Sequence, residues 1–284
     1  MQRTVGKLER PFGKLHYEVT GSGPALLFAH GLGGNQMSWW QQVAHFSPSY
    51  TCVTFAHRGF APSDKIASGP DPADYAGDLA ALIDHLGVGE VHLVGQSMGG
   101  WTMLEYAIAH PEKTKALVLS STSGTIDRRG ADPTGGQQYD AWMKDAAAKA
   151  AAGLAKGVHP AVGVAAAERS PALHLLYRSI DEMAGGLDKE RLRAGLRRTA
   201  HRSLDGLADF SVPTLLIAGG EDTPDRIDGW PRGLLRKGRS GQRQAETDYP
   251  HTAHHVRHGP TLRREPNRHY AVPAAGATIA LSHL

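Results

Sequence analysis

Cys52 is the only cysteine among 284 residues, so no disulfide can form within the chain. It opens an apolar run and reads as buried filler rather than a nucleophile. Cysteine scarcity fits a reducing compartment, and the expected location is the cytoplasm. No apolar run approaches the ~20 residues of a membrane span. The N-terminal stretch Met1-Gln2-Arg3-Thr4-Val5-Gly6-Lys7 lacks the apolar core of a signal peptide. Charge of one sign is also missing: 31 Lys and Arg face 28 Asp and Glu, a net +3. Residues 225–284 hold ten of the basic residues against five acidic ones, so the excess sits in the tail. A basic tail without aromatic interleaving or a recognition motif argues against nucleic-acid binding. Metal-ligand spacing and nucleotide loops are absent as well, and no metal or cofactor is expected.

With 40% apolar and 21% charged residues, the composition is that of a globular protein with a real core. Its centre is Val91-His92-Leu93-Val94-Gly95-Gln96-Ser97-Met98-Gly99-Gly100. A short apolar strand runs into Gly-x-Ser-x-Gly, and a helix follows through Met103, Leu104, Ala107 and Ile108. A tight strand-to-helix turn of this kind exposes the serine hydroxyl as a nucleophile. Gly95 and Gly99 leave room for the chain to reverse. The free N–H groups of the new helix face developing negative charge, which makes Met98 N–H, next to Ser97, an oxyanion donor.

Apolar runs at 25–29, 50–55, 91–94, 116–119 and 213–218 predict buried strands, and 15–19 alternates like a half-exposed one. Tyr75, Leu79, Leu82, Ile83 and Leu86 share one face of a helix over 74–86. Strands alternating with helices predict an α/β fold, a mostly parallel sheet wrapped by helices. Near Gly124 the pattern changes. Residues 125–208 hold no convincing strand, are rich in helix formers such as Ala146–Ala152, and read as a helical cap inserted into the core, with Gly130 to Gly136 as its entry loop. The expected division is core 1–124, cap 125–208, core 209–284.

Taken together and in this order, His30-Gly31-Leu32-Gly33-Gly34, Arg58-Gly59 with Ser63-Asp64, the Gly95–Gly100 turn and Gly219–Asp222 resemble the α/β-hydrolase superfamily over about residues 14–224. The small lactonase and esterase members, such as 3-oxoadipate enol-lactonase and arylesterase types, look most similar. The resemblance implies a Ser…acid…His triad in chain order. Asp222, past the end of a buried strand, fits the acid, with Glu221 as its neighbouring alternative. The base is His254 by its place after Tyr249-Pro250; His251, His255 and His258 are the alternatives. The His-Gly-x motif implies Leu32 N–H as the second oxyanion donor. His30 precedes the nucleophile in the chain and reads as structural, and Arg58 as a pin for its own loop. The family often has an acid where Ala56 stands. Trp101, Tyr139, Trp142 and Met143 are candidates for lining an acyl pocket, or for ordinary packing. From about residue 225 the tail, crowded with Arg, Gly, Pro and His, departs from the family pattern and reads as irregular, disordered or frame-shifted.

The implied activity is cofactor-independent hydrolysis of a small ester or lactone through an acyl-enzyme. Perhydrolase, haloperoxidase-like or carbon–carbon bond hydrolase chemistry could use the same triad. A non-catalytic binding protein on the same fold is the rival of another class.

Overall fold

The computed structural model describes residues 2–127, 129, 135–203, 205–217, 271–274 and 277–280; the side chains of residues 135, 138, 139, 142 and 271–280 are outside that description. Among the described residues a seven-stranded sheet forms the centre. Its strands are β1 (Arg3–Arg10), β2 (Gly13–Thr20), β3 (Ala25–Ala29), β4 (Thr51–Phe55), β5 (Val91–Gln96), β6 (Thr114–Ser120) and β7 (Thr214–Ile217). They lie in the order β1-β2-β4-β3-β5-β6-β7. From β4 to β7 all neighbours are parallel, whereas β2 runs antiparallel to both β1 and β4. Every residue of β3 is buried, as are Leu93, Val94, Leu117 and Val118, because helices cover both faces.

The six expected strands are present. β1 is an addition to them. Its residues Arg3, Lys7, Glu9 and Arg10 are charged, and its burial alternates only weakly, since it is a sheet edge. Around the sheet pack α1 (Trp40–Phe46), α2 (Tyr75–Leu86) and α3 (Met98–Ala109). On α2 the expected face is the buried one, with Tyr75, Leu79, Leu82 and Ile83 inside. Gly87 ends α2 at φ 63°, a left-handed cap that glycine takes without strain.

Among the described residues, four α-helices come between β6 and β7: α4 (Gly135–Ala155), α5 (Val164–Arg169), α6 (Pro171–Glu182) and α7 (Lys189–Thr199). The expected entry loop is shorter than its reading, since Gly135 and Gly136 already belong to α4. The two ends of this segment are tied together. Ile126 and Arg202 form an isolated parallel bridge, and the Arg202 guanidinium grips Glu105 of α3 through Nε and Nη2, each at 2.5 Å. Thr125 Oγ1 donates to the same carboxylate. In the tail, β8 (Ala271–Ala274) and β9 (Ala277–Ala280) pair antiparallel. The tail read as departing from the family begins at about residue 225, and apart from β8 and β9 it lies outside the described residues.

Among the described residues no helix is long and apolar enough to cross a membrane, and no cluster of three metal-ligating side chains occurs.

Candidate active site

Ser97 stands alone between β5 and α3 with φ 50° and ψ −118°. A non-glycine residue rarely takes a positive φ, and the surroundings here leave it no choice. Its N–H donates to Ser120 O at 3.0 Å, and its carbonyl accepts from Gly100 N at 3.0 Å. The glycines allow the turn by their lack of a side chain. A Cβ on Gly95 would stand 2.6 Å from Gly100 Cα, and one on Gly99 would stand 2.1 Å from the Ala29 carbonyl oxygen. The turn is therefore wedged between its own helix and the end of β3. Ser97 is half-buried at the C-terminal end of the parallel strands.

The glycine loop after β3 faces it. A Cβ on Gly31 would meet the Gln96 side chain at 2.2 Å and lie 3.3 Å from Ser97 Cβ, so Gly31 borders the serine. Met98 is buried in an apolar cluster against which Leu32 and Trp101 pack. Among the described residues, neither the Leu32 N–H nor the Met98 N–H donates to a protein acceptor. Ala184, Leu187, Leu192 and Leu196, from α7 and the loop before it, complete this apolar cluster together with Phe60 and Tyr75. Tyr177 and Asp181 of α6 press on the same glycine loop: a Cβ on Gly33 would meet Tyr177 Oη at 2.4 Å and Asp181 Oδ1 at 2.9 Å. Asp181 also holds Lys189 Nζ at 2.5 Å and His159 Nε2 at 3.2 Å.

Other sequence candidates are distributed differently. Met143 lies exposed on α4. Tyr139 and Trp142 belong to the same helix, with side chains outside the described residues. Asp222, Glu221, His251, His254, His255 and His258 also lie outside them. Cys52 is buried and free, and burial pushes its thiol up to about 12, which suits filler rather than a nucleophile.

The loop after β4 is anchored without an acid at position 56. Ser63 Oγ donates to Ala56 O at 2.7 Å and accepts from His16 N at 2.8 Å. Arg58 grips Asp78 through two bonds at 2.5 and 2.7 Å, reaches Asp74, and lies over the Phe12 ring at 4.6 Å. Arg58 is thus a pin, as its sequence context implied.

Sequence reasoning did not foresee one buried arrangement. His30 and His57 leave the ends of the adjacent strands β3 and β4, and both are buried. His30 Nδ1 lies 2.8 Å from Gly31 O. His30 Nε2 lies 3.0 Å from both the backbone N and the Nδ1 of His57. His57 Nε2 lies 2.9 Å from Thr102 Oγ1 on α3. Burial lowers the His30 pKa to about 4. His57 falls well below its ordinary value, first from burial and then from the neighbouring ring. Both rings are therefore neutral near pH 7. Two histidines within two residues of the ends of buried strands were the available signal.

A family model for the alpha/beta hydrolase fold matches residues 24–256. The chain belongs to this family. It is 29% identical over 224 residues to 3-oxoadipate enol-lactonase 2 of Acinetobacter baylyi, covering 73% of this chain and 76% of that one. A Mycobacterium tuberculosis protein named as a non-heme bromoperoxidase shares 34% over 116 residues, 40% of this chain and 44% of its own length. The enol-lactonase structure from Burkholderia xenovorans LB400 superposes with a TM-score of 0.59 at 24% identity, over 81% of this chain and 87% of that one, a likeness of fold.

Proposed function

We propose that the protein is a cofactor-independent serine hydrolase that cleaves a small carboxylic ester or lactone through an acyl-enzyme. The observation that carries this reading is Ser97 at φ 50°, held between Gly95 and Gly99 at the head of α3 with Gly31 beside it. A hydroxyl presented in this way meets a carbonyl with two N–H groups at hand, those of Leu32 and Met98, which donate to no acceptor among the described residues.

In this reading Ser97 Oγ attacks the carbonyl carbon, and its proton passes to a histidine base. The carbonyl oxygen takes up the negative charge in front of Leu32 and Met98 N–H. Collapse breaks the bond to the alcohol oxygen, which takes the proton from the base. Water, deprotonated by the same base, then attacks the acyl-enzyme and frees Ser97 with the acid product. We assign base and acid to His254 and Asp222 from the sequence. The segment 125–208 acts as the cap, and supporting this are the apolar residues of α7 and its preceding loop beside Leu32, Met98 and Trp101. The partial likeness to a bromoperoxidase keeps perhydrolase chemistry on the same serine as the second reading.

Hydrolysis of p-nitrophenyl acetate by wild type and Ser97→Ala tests the proposal. The expected loss of turnover is on the order of 10⁶, with unchanged thermal unfolding. A variant that keeps more than about a tenth of wild-type turnover would place the chemistry on another residue.

A further inference from the structure

The Gly31 carbonyl and the Leu32 N–H belong to one planar peptide group, so whatever fixes the carbonyl also fixes the N–H. Two donors hold that carbonyl: Gly34 N at 3.0 Å and the His30 ring at 2.8 Å. The protons in the histidine pair follow from this contact. A carbonyl only accepts, so His30 Nδ1 carries a hydrogen. A neutral ring has one hydrogen, so His30 Nε2 is a bare acceptor, and His57 meets it twice, with its backbone N–H and with Nδ1. His57 Nδ1 therefore also carries a hydrogen. His57 Nε2 is then bare, and Thr102 donates to it from the second turn of α3.

We infer that His57 and Thr102 are positioning residues that act through His30 on the oxyanion-binding peptide, in a relay Thr102 O–H → His57 → His30 → Gly31 O. The relay begins on the helix that carries Ser97 at its head and ends on the carbonyl of Gly31, the residue that borders Ser97. It thereby couples the placing of the nucleophile to the placing of the Leu32 N–H. Donation to the carbonyl also draws electrons toward oxygen and makes the Leu32 N–H a stronger donor. Nothing in the relay touches substrate, and neither ring is exposed, so its effect falls on the transition state rather than on binding. This inference rests on the serine-hydrolase reading for its catalytic consequence, although the hydrogen-bond chain itself does not.

Nitrogen-15 NMR of the wild-type protein at pH 7 tests the chain. Nδ1–H tautomers are expected on both His30 and His57. An Nε2–H tautomer on either ring overturns the relay, whatever the enzyme does. Kinetics on p-nitrophenyl acetate test the consequence. His57→Phe is expected to lower kcat roughly 10- to 100-fold, with KM within about threefold, and to shift the Leu32 amide resonance. His57→Asn keeps a donor toward His30 and is expected to recover most of that loss. Unchanged kcat in His57→Phe, a loss confined to KM, or an equal loss in both variants would overturn the positioning role. If His57→Phe does not fold, Thr102→Val makes the same comparison, with a several-fold loss of kcat expected and none contradicting the role. Full turnover by Ser97→Ala would instead sink the hydrolase reading, and with it the catalytic consequence, while the tautomers would still decide the chain.

Discussion

Gly99 of α3 lies so close to Ala29 of β3 that a methyl group on it would stand 2.1 Å from the Ala29 carbonyl oxygen. Both partners are backbone, so neither can swing aside. The contact ties the serine turn to the strand that carries the glycine loop, and it makes the turn a structural joint as well as a chemical one.

Gly99→Ala is therefore expected to destabilise the fold by roughly 2–4 kcal/mol, from overpacking against a rigid neighbour. Urea unfolding would show it as a lower midpoint at unchanged slope. A variant as stable as wild type would mean that the turn relaxes more freely than this contact allows.

The second prediction separates a buried ion cluster from a surface one. Asp78 is 2% exposed and serves both Arg58 and Arg10, the latter at 2.9 Å. Asp78→Ala takes the buried carboxylate from two guanidinium groups, leaving Arg58 only the exposed Asp74, and should cost about 3 kcal/mol or more. Lys115→Ala breaks only the pair with Glu90, whose side chains are 51% and 55% exposed, and should cost under ~1 kcal/mol. Equal costs in urea titrations would contradict this ordering.

Stability should also decline on the acid side. His30 has its pKa lowered to about 4, so the unfolded chain binds a proton between pH 6.5 and 4 that the folded chain refuses. Stability is thus fully present above pH 6.5 and is lost as pH falls toward 4. For His30 alone the loss from pH 7 to 5 is roughly 2 kcal/mol, and His57 adds to it in the same direction. Urea midpoints across that range measure it. A flat profile would mean that the pair takes up protons in the folded protein just as it does in the unfolded chain.

Much of this architecture was legible in the sequence, for physical reasons. β3 and β6 are buried on both faces, so the runs Ala25–Ala29 and Ala116–Leu119 are unbroken. The turn at Ser97 needs two glycines at fixed places, and a chain cannot disguise that need. β1 was not legible, because an exposed edge carries Arg3, Lys7 and Arg10 rather than an apolar stripe. The His30–His57–Thr102 chain was hidden for a different cause. Its members lie far apart in sequence and meet only because β3 and β4 are parallel neighbours whose ends coincide. The missing acid at Ala56 marked the place, but only packing shows that His57 and Ser63 serve there. The expected Asp222 and His254 rest on sequence alone, since both lie outside the described residues.

The central claim is that Ser97 is an activated nucleophile. Reaction of the folded protein with a fluorophosphonate, followed by peptide mass spectrometry, tests it most directly. The account predicts one adduct, on the peptide containing Ser97, and none in Ser97→Ala. An unlabelled Ser97 in a protein that still hydrolyses p-nitrophenyl acetate, or an adduct on another residue, would contradict it.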